Sequence, residues 1–581
     1  MNSFKHQLLS VIAVFVSTVA MAQGPEWIKD AVLYQIYPST YMDSDGNGIG
    51  DLPGITSRLD YIKKLGVTAI WLSPVYESGW MDGGYDVIDF YKVDPRFGTN
   101  TDMVTLASEA HKRGIKVCLD LVAGHTSDRN PWFLQSKEGS NLRYSDYFIW
   151  TDVITDEDKE QIKKRYEAPD PKASTIGKFV EANAPRAKYY QKNFYEAQPA
   201  LNYGYANPDP SHPWEQSVDA PGPQAVRQEI RNIMSFWFSK GIDGFRVDLA
   251  SSLVKNDDMN KTETSKLWKE MREWRDKNFP DRALIAEWFN PKQSLPAGFD
   301  IDFYQARSRS RDAAPVNLTS IGNNAQQTRP GMAFQQPKAY FDLAGEGSIK
   351  GFVDNFKDVY DSTRGIGYFS FPTGSHDAQR VSFAPRTSTE ELKVLMTFFL
   401  TLPGIPTIYY GDEIGMKYLP GLPSKEGSNA RSGSRTPMQW TAEESAGFSS
   451  CKPEDLYLPV DTENGRITVE AQENDPNSLL NYVRDLLKLR KGSEALGNDG
   501  EWEYVADVEQ PYPMIYKRFT GKETYLVAIN PSGKKVQATL GSMSDGAPLC
   551  AISSGKVSYK QTKKGDTVQL GACSAAVFKL Q

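Results

Sequence analysis

Three acids and two histidines fall at the ends of apolar runs in this chain, and their types suit acetal chemistry. The run Gly244–Ala250 (GFRVDLA) sets Arg246 and Asp248 on one face of a strand and Phe245, Val247 and Leu249 on the other, because residues two apart share a side. The run Lys116–Gly124 leads into His125, Ala283–Trp288 carries Glu287, and Gly367–Pro372 leads into His376 and Asp377. A solvated loop explains any one of these residues; it explains the set poorly. Cleaving an acetal with retention needs an ionised carboxylate nucleophile and a protonated carboxyl about 5–5.5 Å apart. Arg246, on the same face as Asp248, is expected to hold it ionised by lowering its pKa. An apolar niche beside Trp288 and Phe289 is expected to raise Glu287 toward a proton donor.

Elements must bring these residues together. Eight strand-like runs alternate with helical stretches: Ala31–Pro38, Ala69–Val75, Lys116–Gly124, Gly244–Ala250, Ala283–Trp288, Phe299–Gln305, Gly367–Pro372 and Thr407–Glu413. That alternation predicts an α/β fold, a (β/α)8 TIM barrel, whose strand C-termini share one mouth. Residues 126–224, rich in Tyr, Pro, Asn and Asp, break the rhythm and read as a subdomain inserted after the third strand. Residues 495–581 read as a C-terminal all-β sandwich domain, which leaves 23–125 and 225–494 to the barrel.

The bulk composition narrows the classes. The chain has 581 residues, 40% hydrophobic and 24% charged, which is the balance of a multi-domain globular protein. Its net charge of −7, without a basic block, argues against a nucleic-acid surface. Aromatic rings make up 12% of residues; such rings suit sugar faces and large cores alike. Residues 1–22 carry Lys5, an apolar run from Leu8 to Ala20, and small Ala20 and Ala22, the pattern of a cleaved signal peptide. The mature chain is expected to be periplasmic or secreted, with no membrane span. Four cysteines make no disulfide framework; Cys550 and Cys573 either pair or stay as separate thiols, and no Cys/His spacing suits zinc. The sequence is silent on oligomeric state.

A second chemical feature is DSDGNGIGD, Asp43–Asp51. Oxygens of Asp43, Asp45, Asn47, the Ile49 carbonyl and Asp51 follow the alternate spacing of a calcium loop, with Gly48 at the bend. Gly54 stands where an EF-hand needs its final acid, so this is not an EF-hand.

The motifs YQIYPSTYMDSDGNGIGDLPGI, DLVAGHTSD, QPALNY, GFRVDLA, IAEW, SHD, IYYGDEIGM and SRTPMQW, in this order, closely resemble the α-amylase superfamily of glycoside hydrolases, in its oligosaccharide-acting α-glucosidase branch. The resemblance runs from about Asp30 to Trp502. It implies Asp248 as nucleophile, Glu287 as general acid/base and Asp377 as a third acid gripping sugar hydroxyls. It implies that Arg246 orients Asp248, that His125 and His376 bind hydroxyls at the cleavage position, and that Tyr85 stacks on that sugar. It further implies that Asp82 pairs with Arg431 to close the far end of the pocket, with Arg435 near the next sugar. The Asp43–Asp51 loop is similar to the family's metal loop, implying one structural Ca2+. The expected substrate is an α-linked oligosaccharide losing glucose from its non-reducing end. A transglycosylase or isomerase such as a trehalose synthase, an endo-acting α-amylase and a non-catalytic sugar-binding relative are the alternatives.

The chain departs from the family pattern in places. Gly124 replaces the Asn that ligates calcium in calcium-dependent α-amylases, which speaks against a second calcium there. Ala200 and Ser375 stand where Asp and Asn are common. Leu249, just after the nucleophile, replaces a Val, Thr or Ala at a position that helps set linkage preference, so α-1,4 against α-1,6 stays open.

Overall fold

The structure, a computed structural model, describes residues 24–304, 318, 339–378, 380–383, 386–427, 431–463, 465–563 and 565–581. The expected signal peptide lies outside them. Eight parallel strands close into a barrel: β1 (Leu33–Ile36), β2 (Ala69–Leu72), β3 (Lys116–Leu121), β4 (Gly244–Val247), β5 (Ala283–Ala286), β6 (Ile301–Phe303), β7 (Tyr368–Pro372) and β8 (Ile405–Tyr409). Each strand pairs with the next, and β8 returns to β1 through Leu33 opposite Thr407. Seven of the eight expected runs contain one strand each, and the eighth overlaps one. Most strands stop short of the run's polar end, so that Asp248, Glu287 and His125 stand in the turns above the barrel. β8 instead begins two residues before its run.

Alternation along the strands separates two environments. Leu33, Trp71, Cys118, Ile285, Ile301, Phe303 and Ile405 point inward and fill the barrel floor as one apolar cluster. Phe245 and Val247 point outward into the main core, where Phe245 meets Phe238 of the helix Pro221–Ser239 at a ring distance of 5.1 Å. Gly244 and Arg246 take the inward face. A Cβ at Gly244 would lie 2.9 Å from the Ala283 carbonyl oxygen and 3.0 Å from Cys118 Sγ, so glycine is required there. The helices start where the sequence offers caps: Thr99 with Asp102 and Ser388 with Glu391 form capping boxes for Asn100–Lys112 and Thr389–Thr401.

Between β3 and β4 the chain forms a three-stranded antiparallel sheet of Trp150–Thr151, Tyr189–Gln191 and Phe179–Glu181. It has its own small core of Ile149, Ile154, Ile162, Phe179, Tyr189, Tyr205 and Trp214. After the barrel, a five-stranded sheet and a three-stranded sheet enclose Ile515, Leu526, Val568, Leu570 and Phe578, giving the expected C-terminal all-β domain. All four cysteines are free thiols. Cys550 pairs opposite Phe578, whereas Cys573 precedes Ser574, the first residue of that same strand. Five positions at about 3.3 Å each put the two thiols beyond disulfide reach. No helix among the described residues is long and apolar enough to cross a membrane.

Candidate active site

The charged face of β4 opens the site. Arg246 Nη1 donates to Asp120 Oδ1 and to Asp248 Oδ1, each at 2.9 Å, and Nη2 lies 2.9 Å from Glu287 Oε2. One guanidinium therefore serves three carboxyls, from β3 and from the turns after β4 and β5; Asp120 and Asp248 are buried and Glu287 is half-buried. Trp71 lies under it, 5.2 Å from ring centroid to guanidinium carbon. Burial works to discharge Arg246, but Asp120, Glu287 and Asp248 outweigh it and keep the cation charged.

Three acids sharing one cation cannot all be ionised cheaply away from water. Burial pushes Glu287 up to about 8, Asp248 to about 7 and Asp120 to about 6, each against the pull of Arg246. The outcome differs from the sequence expectation for Asp248. Arg246 does lower it, but desolvation is larger and the net shift is upward. Both carboxyls are raised by burial, so the pair holds a proton near neutral pH.

Leu249 explains part of this geometry. It sits in the left-handed region (φ 46°), and its N–H donates to Glu287 Oε2 at 2.9 Å. A left-handed leucine costs on the order of 1–2 kcal/mol, so its surroundings must impose the conformation. The residue the family pattern describes least well therefore contributes its backbone to the site.

The histidines are neutral and held. Burial pushes His376 down to about 3 and His125 down to about 4. Gln35 Nε2 donates to His376 Nδ1 at 2.7 Å, leaving its Nε2 to face Tyr85 Oη at 2.8 Å. The Tyr85 hydroxyl donates to Asp120 Oδ2 at 3.0 Å, and its ring stacks on His376 at 5.4 Å. His125 Nε2 donates to the Tyr85 carbonyl at 2.9 Å, and its Nδ1 accepts from Asn193 Nδ2 at 2.9 Å. Both of its ring nitrogens are thus engaged by protein, and a sugar hydroxyl would have to displace one partner. A Cβ at Gly124 would lie 2.6 Å from Asn193 Nδ2: the Asn193 amide fills the space a side chain at 124 would take.

A second charge cluster joins Asp82 and Asp377 to two arginines. Arg431 Nη2 bonds Asp82 Oδ1 at 2.9 Å, its Nη1 bonds Asp377 Oδ1, and Arg435 Nη2 lies 3.3 Å from Asp377. Gln198 donates to the other Asp82 oxygen at 3.0 Å. Burial would raise Asp377, but the Arg431 and Arg435 cations beside it overcome that and hold the carboxyl below the usual range. Asp82, more deeply enclosed, is raised by burial despite Arg431.

In the loop after β1, one carboxylate oxygen from each of Asp43, Asp45 and Asp51 lies within 4.8 Å of the others. Asp43 accepts the N–H groups of Asp45, Gly46 and Gly48, and Asp51 accepts those of Ser44 and Gly54. Asn47 Oδ1 accepts the Ile49 N–H at 2.9 Å. Three converging carboxylates in an all-oxygen loop fit a hard cation such as Ca2+.

Sequence reasoning did not name Asp120, Gln35 or Asn193 among the site residues. Asp120 carried a signal, a lone acid inside an apolar strand like Arg246. Asn193 carried none, because only folding of the inserted segment brings it to His125.

An acid pair on one arginine at the mouth of a closed (β/α)8 barrel defines a glycoside hydrolase. Residues 35–499 match the family model described as "Alpha amylase, catalytic domain", and the chain belongs to this family. The trehalose synthase/amylase of Mycobacterium tuberculosis is 32% identical over 505 residues, covering 82% of this chain and 77% of that protein. The oligo-1,6-glucosidase of Parageobacillus thermoglucosidasius is 31% identical over 565 residues, covering 87% and 91%. Among solved structures, an isomaltulose synthase mutant of Erwinia rhapontici NX5 in complex with D-glucose matches with a TM-score of 0.75 at 26% identity, covering 96% of this chain and 100% of that one. Relatives named α-glucosidase, oligo-1,6-glucosidase and glucan 1,6-α-glucosidase support the oligosaccharide-acting branch.

Proposed function

We propose that this protein is a retaining α-glucosidase that releases glucose from the non-reducing ends of short α-glucans. The observation that carries the reading is the Asp82–Arg431–Asp377 cluster beside the acid pair. A sugar site closed on one side by these charge pairs accepts one terminal sugar and stops, whereas an endo-acting enzyme needs an open cleft. In the first step Asp248 attacks the anomeric carbon, the glycosidic C–O bond breaks, and Glu287 gives its proton to the departing oxygen. In the second, Glu287 takes a proton from water, whose oxygen displaces Asp248 and regenerates both carboxyls. Asp377, held ionised, suits hydrogen bonds to the hydroxyls of the distorted ring, and neutral His376 offers its Nε2 to them only by exchanging the Tyr85 hydroxyl. Tyr85 offers its ring to the same sugar, and Arg435 lies toward the next one. A Ca2+ held by Asp43, Asp45, Asn47, the Ile49 carbonyl and Asp51 would brace the loop after β1 and take no chemical part. Residues 1–22 would direct export to the periplasm or beyond, and N-terminal sequencing of the mature protein tests this.

Incubation with maltose, isomaltose, panose and maltotriose tests the activity. The expected result is glucose released first as the α-anomer; no release from any of them refutes the reading. The trehalose synthase and isomaltulose synthase likenesses favour a second reading, in which a sugar rather than water accepts the glucosyl group. New disaccharides without net glucose at high sugar concentration would select it.

A further inference from the structure

The row across β5, β6 and β7 that pairs Ala286 with Asp302 and Asp302 with Phe369 faces outward, toward the helices. The inward neighbours Ile301 and Phe303 belong to the barrel floor. Outward positions on the other strands are largely apolar, yet here a fully buried carboxylate takes one. Its bonds show where it acts. Asp302 Oδ1 accepts the backbone N–H of Trp288 and of Phe289, each at 3.2 Å, and Oδ2 accepts the Asn290 N–H at 2.9 Å and the Ser294 hydroxyl at 2.7 Å. Three consecutive amides after Glu287 thus close on one side chain.

That grip has a visible effect on the backbone. Phe289, 40% exposed, is held in the left-handed region (φ 59°), a costly state for an aromatic residue. The turn is fixed from the outer side by Asp302, while Glu287 itself is fixed from the inner side by the Leu249 N–H and Arg246.

We propose that Asp302 is the positioning residue for the general acid: by clamping residues 288–290 from behind the barrel it fixes the aim of the Glu287 proton at the leaving oxygen. This rests on the α-glucosidase reading. A clamp of this kind spends buried hydrogen bonds on geometry rather than on packing, and a misplaced acid costs most where the leaving group most needs its proton.

The test compares kcat/KM for maltose, whose sugar leaving group must be protonated, with kcat/KM for α-glucosyl fluoride, whose fluoride needs little help. In Asp302→Ala the maltose value is expected to fall at least tenfold further than the fluoride value. In Asp302→Asn, which keeps an oxygen for the Trp288 and Phe289 amides, the gap is expected to be smaller. Ser294→Ala removes one bond to Asp302 Oδ2 and is expected to shift the ratio about threefold in the same direction, with the fold intact by circular dichroism. If Asp302→Ala does not fold, Asp302→Asn and Ser294→Ala carry the test. Equal losses on both substrates in the folded variants overturn the proposal and leave the α-glucosidase reading standing. A wild type that cleaves neither substrate overturns both.

Discussion

Asp120→Asn is the most revealing perturbation of the site, because Asp120 touches the acid pair only through Arg246. Asp120 Oδ1 and Asp248 Oδ1 each lie 2.9 Å from the same Arg246 nitrogen, so the two charges are at most about twice that distance apart. Two unit charges about 5 Å apart at an effective dielectric constant of about 20 repel by about 3 kcal/mol, or about two pK units. Asp120 raises Asp248 through this repulsion and competes with it for the cation. Asparagine removes the charge, so the Asp248 carboxyl falls from about 7 toward its ordinary value. The sign in the assay follows. The nucleophile must be ionised, so kcat/KM rises with pH through the Asp248 pKa; the acid must be protonated, so kcat/KM falls through the Glu287 pKa near 8. The variant's acid limb is expected one to two units lower than wild type, with a smaller maximum because the new NH2 group meets Trp71 Nε1 or Tyr85 Oη. A pH profile of kcat/KM on maltose decides it. An acid limb that stays in place or moves up refutes the view that Asp120 and Asp248 share one cation.

Other expectations follow from the same geometry. Arg431→Ala leaves Asp82 buried with Gln198 and should lower kcat/KM on maltose about 100-fold, with a smaller loss on long maltodextrins; equal losses on both refute the closed pocket. Chelation should lower the thermal midpoint, with recovery on adding Ca2+, if Asp43, Asp45 and Asp51 hold the ion; an unchanged midpoint argues against it. Gly244→Ala forces a Cβ against the Ala283 carbonyl and should destabilise by about 1–3 kcal/mol in denaturant melts. Reducing agent should leave the melting curve unchanged, since Cys550 and Cys573 are free.

The sequence by itself determined the strands, the fold class and the polar residues at the strand ends. Period-two alternation marks a barrel strand wherever one face meets helices and the other the barrel interior, and Arg246 and Asp248 stood out because they broke an apolar pattern. The sequence also carried the motif order that marks the family. What only the tertiary structure decided is which partners each charge finds. Arg246 was read as a local partner of Asp248, two residues away, but β3 and β5 bring Asp120 and Glu287 to the same guanidinium, and burial of the whole group reverses the sign expected for Asp248. Asn193 reaches His125 from 68 positions along the chain, and Asp302 grips the turn after Glu287 from behind the barrel wall. Desolvation and long-range hydrogen bonding depend on closure of the barrel in three dimensions, and no local pattern of residues encodes them.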